Sequence, residues 1–307
     1  MCNITQYKYK NFKNINSFHT IMKKKLTAQG PKDRKSYTVT LPIEWVKEQG
    51  VDKRKSVDLE IIGNRIIISN FSESKPQIII NAKAYSNNFI KILQGLYRRG
   101  EEEIKLNFKN SKFLEIILPI LDQKLIGFEI VEQKKDFIII KDIAHESNDD
   151  FNVIFRRVFF LILELSESED LIQINSLDKS IKKFINYCQR TLMKQGHSEF
   201  RKVPLYYLIL DRLEKLTDEF KWFLKIKSSK TINSEDFIKL KLILRIAHDL
   251  FYKFDEKKYN EYQYQSYLLK NKIKLNSKVD LESLHLHNIA RILNSIYGDI
   301  FTLRFNK

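Results

Sequence analysis

Nine basic side chains between residues 23 and 55 have the chemistry needed to neutralise phosphate. They flank the first two predicted strands and the loop after a short predicted helix. Lysine and arginine release counterions from DNA phosphates, so such a surface binds DNA less tightly as salt rises. Arg34 is the first candidate for a base contact, because a guanidinium can donate two hydrogen bonds to guanine. The alternative is an ordinary solvated basic face. The nine residues are Lys23, Lys24, Lys25, Lys32, Arg34, Lys35, Lys53, Arg54 and Lys55.

A second candidate site consists of carboxylates in the C-terminal half. Glu214 and Asp218 are four residues apart on one predicted helix, so their side chains lie on the same face. Carboxylate oxygens are the usual ligands of hard cations, and Asp178 on an earlier helix is a candidate third ligand. The alternative is a solvated helix face, with Glu214 close to Lys215 and Lys221.

The sequence contains no catalytic constellation. It has no Ser/His/Asp order, HExxH, CxxC or phosphate-binding loop, and its histidines are scattered. The two cysteines exclude a disulfide scaffold, and Cys188 lies on an apolar helix stripe, where it indicates a buried small hydrophobe. We therefore expect that the protein is not an enzyme and that it requires no cofactor.

The composition excludes a generally disordered chain. The 307 residues are 43% hydrophobic and 12% aromatic, and the formal net charge is +16. The longest apolar runs, such as Val158–Leu163, are much shorter than the roughly 20 residues that span a bilayer. We therefore predict no membrane insertion, a cytoplasmic location and an anionic partner.

Composition shifts divide the chain into four parts. Residues 1–21 are polar and contain no acidic side chain, which indicates a disordered tail or a start codon placed too early. Residues 22–70 and 71–145 contain most of the glycines and prolines and are predicted to be a small β domain and a small α/β domain. Residues 146–307 are predicted to be helical.

The small β domain is predicted to have two strands, a short helix and a hairpin. Ser36–Leu41 alternates apolar and polar residues, and Pro42 opens a helix over Ile43–Gln49 that ends at Gly50. Val57–Ile61 and Arg65–Ser69 form the hairpin across Gly63-Asn64. A unit this short cannot bury enough apolar surface to form a hydrophobic core of its own. We therefore expect it to need a second copy or a larger neighbour.

The remaining chain is predicted to be α/β and then all-α, which makes the fold class α+β. The order β-α-β-α-β-β covers Gln77–Ile80, Asn87–Tyr97, Ile104–Phe108, Ser111–Leu121, Phe128–Val131 and Phe137–Ile140. Six amphipathic helical stretches follow from Asp149 onward, which indicates a helical bundle.

Residues 24–70 resemble an AbrB/SpoVT-type swapped-hairpin domain. The pattern that resembles it comprises Val39–Trp45 (VTLPIEW), Gly50-Val51 and the hairpin over Val57–Ser69. The chain departs from the pattern at Lys55–Asp58, where such domains often place a Gly-Asp turn. From residue 22 onward the chain is similar to the archaeal PhoU-related regulators, in which an AbrB-like domain precedes a PhoU-like helical bundle.

This resemblance implies a DNA-binding regulator of phosphate uptake. It implies a swapped-hairpin domain that forms a homodimer on double-stranded promoter DNA, a small α/β middle segment and an all-α PhoU-like six-helix bundle. The bundle would sense a signal or dock on phosphate transporter components. Glu214 and Asp218 match the E-x-x-x-D metal motif of PhoU proteins, which implies a divalent or iron ion. The alternative is an adaptor that does not bind DNA and docks on a phosphate transporter or a sensor kinase.

Overall fold

The structure is a computed structural model, and the chain in it divides into two compact units. The first unit extends to residue 58 and includes 68–71, and the second comprises 59–67 and the chain from 72 onward. The predicted tail, residues 1–21, lies outside the described residues, and the predicted domain boundaries stay predictions. The structure describes residues 23–31, 33–62, 65–70, 77–82, 88–143, 148–197, 199–227, 235–272 and 281–304.

The first unit begins with two short antiparallel strands, β1 (Thr27–Gln29) and β2 (Ser36–Thr38). The predicted strand was longer, but β1 offers only three residues for pairing, so the ladder ends at Thr38. Gly30 opens the turn with a φ of 102°, and a Cβ there would lie 2.7 Å from the carbonyl oxygen of Arg34. Only glycine fits this position without strain.

Two short helices follow: α1 (Ile43–Glu48) and α2 (Val51–Arg54). The predicted helix after Pro42 is confirmed, and Gly50 has the predicted left-handed conformation with a φ of 65°. The sequence did not indicate α2, because four residues carry no periodicity. Lys55 ends α2 with a φ of 57°, a conformation that glycine adopts at less cost.

The predicted hairpin is confirmed as β3 (Asp58–Ile62) and β4 (Arg65–Ser69), while its turn residues Gly63 and Asn64 lie outside the described residues. Val51 is the only buried hydrophobic side chain among the described residues of 23–70. In the same range, large apolar side chains are exposed: Leu26, Tyr37, Val39, Ile43, Leu59, Ile61, Ile66 and Ile67.

The second unit contains a four-stranded sheet covered by two helices. The strand order is β5-β6-β8-β7, with β5 parallel to β6 and the other pairs antiparallel. The predicted order β-α-β-α-β-β is confirmed. It could be predicted because the helices show a clear 3.6-residue period and the strands a period of two. The elements are β5 (Ile78–Asn81), α3 (Phe89–Arg99), β6 (Glu103–Asn107), α4 (Lys112–Lys124), β7 (Phe128–Gln133) and β8 (Phe137–Asp142).

The C-terminal region is helical, and its described helices share one hydrophobic core that is separate from the core of the sheet. The fold class is therefore α+β, as predicted. Within the described residues, no helix is both long enough and apolar enough to cross a membrane. The helices are α5 (Asn148–Glu167), α6 (Leu171–Gln195), α7 (Val203–Lys227), α8 (Glu235–Tyr252), α9 (Glu256–Lys272) and α10 (Leu281–Arg304).

Candidate nucleic-acid interface

The structure places most of the predicted DNA-binding side chains on exposed loops of the first unit. Lys23, Lys24 and Lys25 precede β1, while Arg34 and Lys35 lie in the turn between β1 and β2, and all five are exposed. The β1–β2 register fixes the ends of that turn, since Gln29 pairs with Ser36. Lys32 belongs to the same turn by sequence and lies outside the described residues.

The other predicted side chains lie where α2 ends, and one of them already has partners. Lys53 and Lys55 are exposed. Arg54 has a side chain that is 28% exposed and lies 3.8 Å from Asp58 Oδ2. Its Nη1 also donates to Asn70 Oδ1 at 3.0 Å, and the Asn70 amide donates to the carbonyl oxygen of Gln49. These contacts connect α1 and α2 to the end of β4, which gives Arg54 a structural role that the sequence did not indicate.

The remaining basic side chains are available to bind anions. Among the described residues none of them makes an ion pair or a side-chain hydrogen bond: Lys23, Lys24, Lys25, Arg34, Lys35, Lys53 and Lys55. An exposed ammonium or guanidinium group loses little hydration when it contacts a phosphate, and counterion release then favours binding. The geometry therefore suits salt-sensitive binding of a polyanion.

The predicted metal ligands come together on α6 and α7, but with lysines among them. Lys182 Nζ lies 2.8 Å from Asp178 Oδ1 and 2.6 Å from Asp218 Oδ1. Lys221 Nζ lies 2.6 Å from Asp178 Oδ2. Burial opposes the charge of Lys182, but its hydrogen bonds to Asp178 and Asp218 raise its pKa above the ordinary value. Lys182 is therefore charged near neutral pH and lies between the two carboxylates.

The remaining predicted ligand, Glu214, also has a cationic partner, because its Oε2 lies 3.5 Å from Arg98 Nη2. Lys124 lies near these side chains. Burial lowers the pKa of Lys124, and the positive charge of Lys182 lowers it further. Among the described residues, no three His, Cys, Asp or Glu side chains form a group that could bind a metal ion. As arranged, the carboxylates do not fit a divalent or iron ion unless Lys182 moves away.

Replacing Lys182 with methionine should turn this region into a metal site. Asp178 and Asp218 would lose the cation they share, and because Lys221 contacts only Asp178 of these two carboxylates, a divalent ion would then take the place of Lys182 between their oxygens. We expect the melting temperature of Lys182→Met to rise on addition of Mn²⁺, whereas that of the unmodified protein stays constant.

Lys215→Met is the matched control for this experiment. Lys215 pairs with Asp211 at 2.6 Å on the same helix, in an exposed pair outside the acidic group. Its melting temperature should not respond to Mn²⁺. Stoichiometric Mn²⁺ binding by the unmodified protein would show instead that Lys182 moves aside and that the predicted metal site exists.

One face of α6 makes polar contacts with the four-stranded sheet and its helices. The sequence did not indicate these contacts. Arg190 is fully buried, and its Nη1 donates to the carbonyl oxygen of Tyr97 at 2.8 Å. Its Nη2 donates to Asp142 Oδ2, and the guanidinium lies over the rings of Tyr97 and Phe128. Lys194 Nζ also donates to Asp142, at 3.1 Å.

Asn186 continues this polar face one turn earlier on α6. Its side chain accepts a hydrogen bond from Arg98 Nε at 2.7 Å and donates to the carbonyl oxygen of Lys124 at 3.2 Å. Burial alone would raise the pKa of Asp142, but hydrogen bonds and charge from Arg190 and Lys194 hold that pKa below its usual range. The only feature of the sequence that could have indicated this polar face is the spacing of polar residues in α6. They recur three or four residues apart, opposite the apolar stripe of the helix.

Comparison with known proteins adds no further likeness. No protein-family model, curated protein or solved structure matches the chain. The functional conclusion therefore depends on the residues of this chain and on the pattern of residues 24–70. The exposed cations between Lys23 and Lys55 are the strongest of these observations, because they are unpaired among the described residues.

Proposed function

We propose that the protein is a DNA-binding transcriptional regulator that acts as a dimer. The observation that carries this proposal is the group of exposed basic side chains on the loops around β1, β2 and α2, unpaired among the described residues. They lie on a small β unit whose sequence resembles AbrB-like domains. Phosphate contacts from these loops would position the protein on DNA, and Arg34 is the candidate for reading a base.

The scarcity of buried apolar side chains in residues 23–70 supports the proposed dimer. Leu26, Tyr37 and Ile43 are exposed in the first unit, and Leu59 and Ile61 are exposed on the hairpin. Exposed apolar clusters of this kind usually mark an interaction surface. A second copy that exchanges its hairpin would cover them and would place two basic surfaces on one duplex, as two-fold symmetric binding requires.

The helical region is proposed to be a PhoU-like six-helix bundle that senses a signal or docks a partner. All six helices contribute side chains to one core, which supports a bundle. The connection to phosphate uptake comes from the resemblance of the chain to PhoU-related regulators.

The second candidate function is an adaptor that docks on a phosphate transporter or a sensor kinase without binding DNA. The exposed apolar side chains Ile172, Trp222 and Tyr264 on the helices favour it.

Fluorescence anisotropy on duplex DNA across a salt series tests the proposal. Full-length protein should bind DNA from its own upstream region more tightly than scrambled DNA, with an affinity that falls steeply with salt. The double variant Arg34→Ala/Lys35→Ala should bind more weakly and with a shallower slope. The slope should change by about one for each phosphate that the variant no longer neutralises, so by up to about four for a dimer.

Lys179→Ala/Lys257→Ala is the matched control, because it removes two exposed lysines from helices of the second unit. It should keep the affinity and the salt slope of the unmodified protein. Equal weakening by both double variants would mean that the charge acts generically. Weak and equal binding of both DNAs by the unmodified protein would reject the regulator in favour of the adaptor.

A further inference from the structure

A cavity in the helical region is lined by basic and aromatic side chains from three helices. Its volume is about 300 Å³, at the small end of small-molecule sites. It lies away from the acidic group on α6 and α7, and it does not include any residue of the proposed DNA surface. Its lining comes from α5, α8, the turn after α8 and α9: Arg156, His248, Tyr252, Lys253, Asp255 and Lys258, together with Asp249.

Arg156 is positioned by aromatic rings rather than by a carboxylate. Its guanidinium carbon lies 5.4 Å from the ring centre of Phe160 and 5.1 Å from that of Tyr252. Among the described residues, its N–H groups have no hydrogen-bond acceptor or ion-pair partner. The rings hold the guanidinium by cation–π attraction and leave its N–H groups available. A guanidinium in this arrangement can form a bidentate pair of hydrogen bonds with an oxyanion.

His248 forms a largely buried part of the cavity wall. Its side chain is 14% exposed, and its Nδ1 lies 3.2 Å from Asp249 Oδ1. Its Nε2 is buried and has no hydrogen-bond partner among the described residues.

The two acidic side chains of the lining are already engaged. Asp255 Oδ1 accepts a hydrogen bond from the backbone N–H of Lys258 at 2.8 Å, at the start of α9. Asp249 contacts His248 and lies 3.5 Å from Lys258 Nζ. Lys253 Nζ has no partner among the described residues. The lining has a net charge of +1, since Arg156, Lys253 and Lys258 outnumber the two acids by one.

We propose that this cavity binds the phosphoryl group of a small molecule. Arg156 would donate two hydrogen bonds to the phosphoryl oxygens, and Lys253 would supply a second charge. An anionic phosphoryl group is opposite in charge to the lining, and the volume leaves room for a small organic group beyond it. Inorganic phosphate and a phosphorylated metabolite share this chemistry. The site does not depend on the proposed DNA binding, because none of its residues belongs to the basic loops.

Isothermal titration of the full-length protein tests this proposal, with inorganic phosphate and ribose 5-phosphate as the two probes and ribose as the blank. We expect one site per chain for at least one phosphate probe and none for ribose. Tighter binding of ribose 5-phosphate would identify a phosphorylated metabolite as the ligand, and equal affinity would identify the free anion. Arg156→Gln should weaken binding about 10-fold to 100-fold, because it removes a charged pair of hydrogen bonds.

Arg157→Gln is the matched control, since the neighbouring arginine is exposed and lies 3.6 Å from Glu164 instead of lining the cavity. Its affinity should equal that of the unmodified protein. Lys253→Gln is a second test on an exposed side chain and should weaken binding as well. No binding of either phosphate probe, or equal loss in the Arg156 and Arg157 variants, would overturn the proposal.

Discussion

Asp142→Ala is expected to lower the free energy of unfolding of the second unit by about 3–5 kcal/mol, as removing one partner of a buried ion pair does elsewhere. The side chains of Asp142 and Arg190 are 3% and 0% exposed. Without the carboxylate, Arg190 would keep its charge in a site closed to water and would lose its anionic partner, while the carbonyl oxygen of Tyr97 would still accept from its Nη1. Urea denaturation followed by circular dichroism measures the loss.

Glu132→Ala is the matched control for Asp142→Ala. Glu132 lies 3.6 Å from Lys134, and both side chains are largely exposed, so the pair is worth at most about 1 kcal/mol. The double variant Asp142→Leu/Arg190→Met should be more stable than Asp142→Ala, because it removes the buried charge together with its partner. Equal stability of Asp142→Ala and Glu132→Ala would show that the Asp142–Arg190 ion pair does not form in solution.

The same ion pair should make stability depend on acid. The pKa of Asp142 is lower in the folded protein than its ordinary value near 4, so the stabilisation is fully present above about pH 4. It is lost as the pH falls through the folded-state pKa, because the carboxylate takes up a proton on unfolding. Asp142→Ala should therefore show a weaker loss of stability below about pH 4 than the unmodified protein.

The order of elements could be predicted from the sequence because it follows from local patterns. The helices near residues 89–99 and 112–124 and the strands between them have clear periods, and the structure confirms each within a few residues. The strand predicted over Ser36–Leu41 was too long, since its pairing with β1 ends at Thr38.

The partners of charged side chains could not be predicted, because they lie far apart in the sequence. Glu214 and Asp218 share a helix face by spacing alone, but Lys182 comes from another helix, 36 residues before Asp218. Asp142 and Arg190 are separated by 48 residues. Only the packing of α6 against its neighbours brings these charges together, and no local pattern encodes that packing. Arg54 differs in part, since Asp58 is only four residues away and its distant partner is Asn70, 16 residues later.

Replacing Ile61 with aspartate is expected to convert the proposed dimer into monomers. The side chain is 77% exposed on β3, so the substitution should leave the fold of the single chain intact. A carboxylate buried between two copies would be strongly unfavourable. Sedimentation velocity should give twice the 36.7 kDa chain mass for the unmodified protein and the single-chain mass for Ile61→Asp.

DNA affinity should fall along with the loss of the dimer. One duplex would then be bound by one basic surface instead of two linked ones, and losing such linkage weakens binding by about 100-fold or more. Ile172→Asp is the matched control, because Ile172 is 80% exposed near the start of α6. It should keep both the dimer mass and the DNA affinity. If Ile61→Asp also keeps both, the hairpin does not form the dimer surface, and the basic loops would have to act from a single chain.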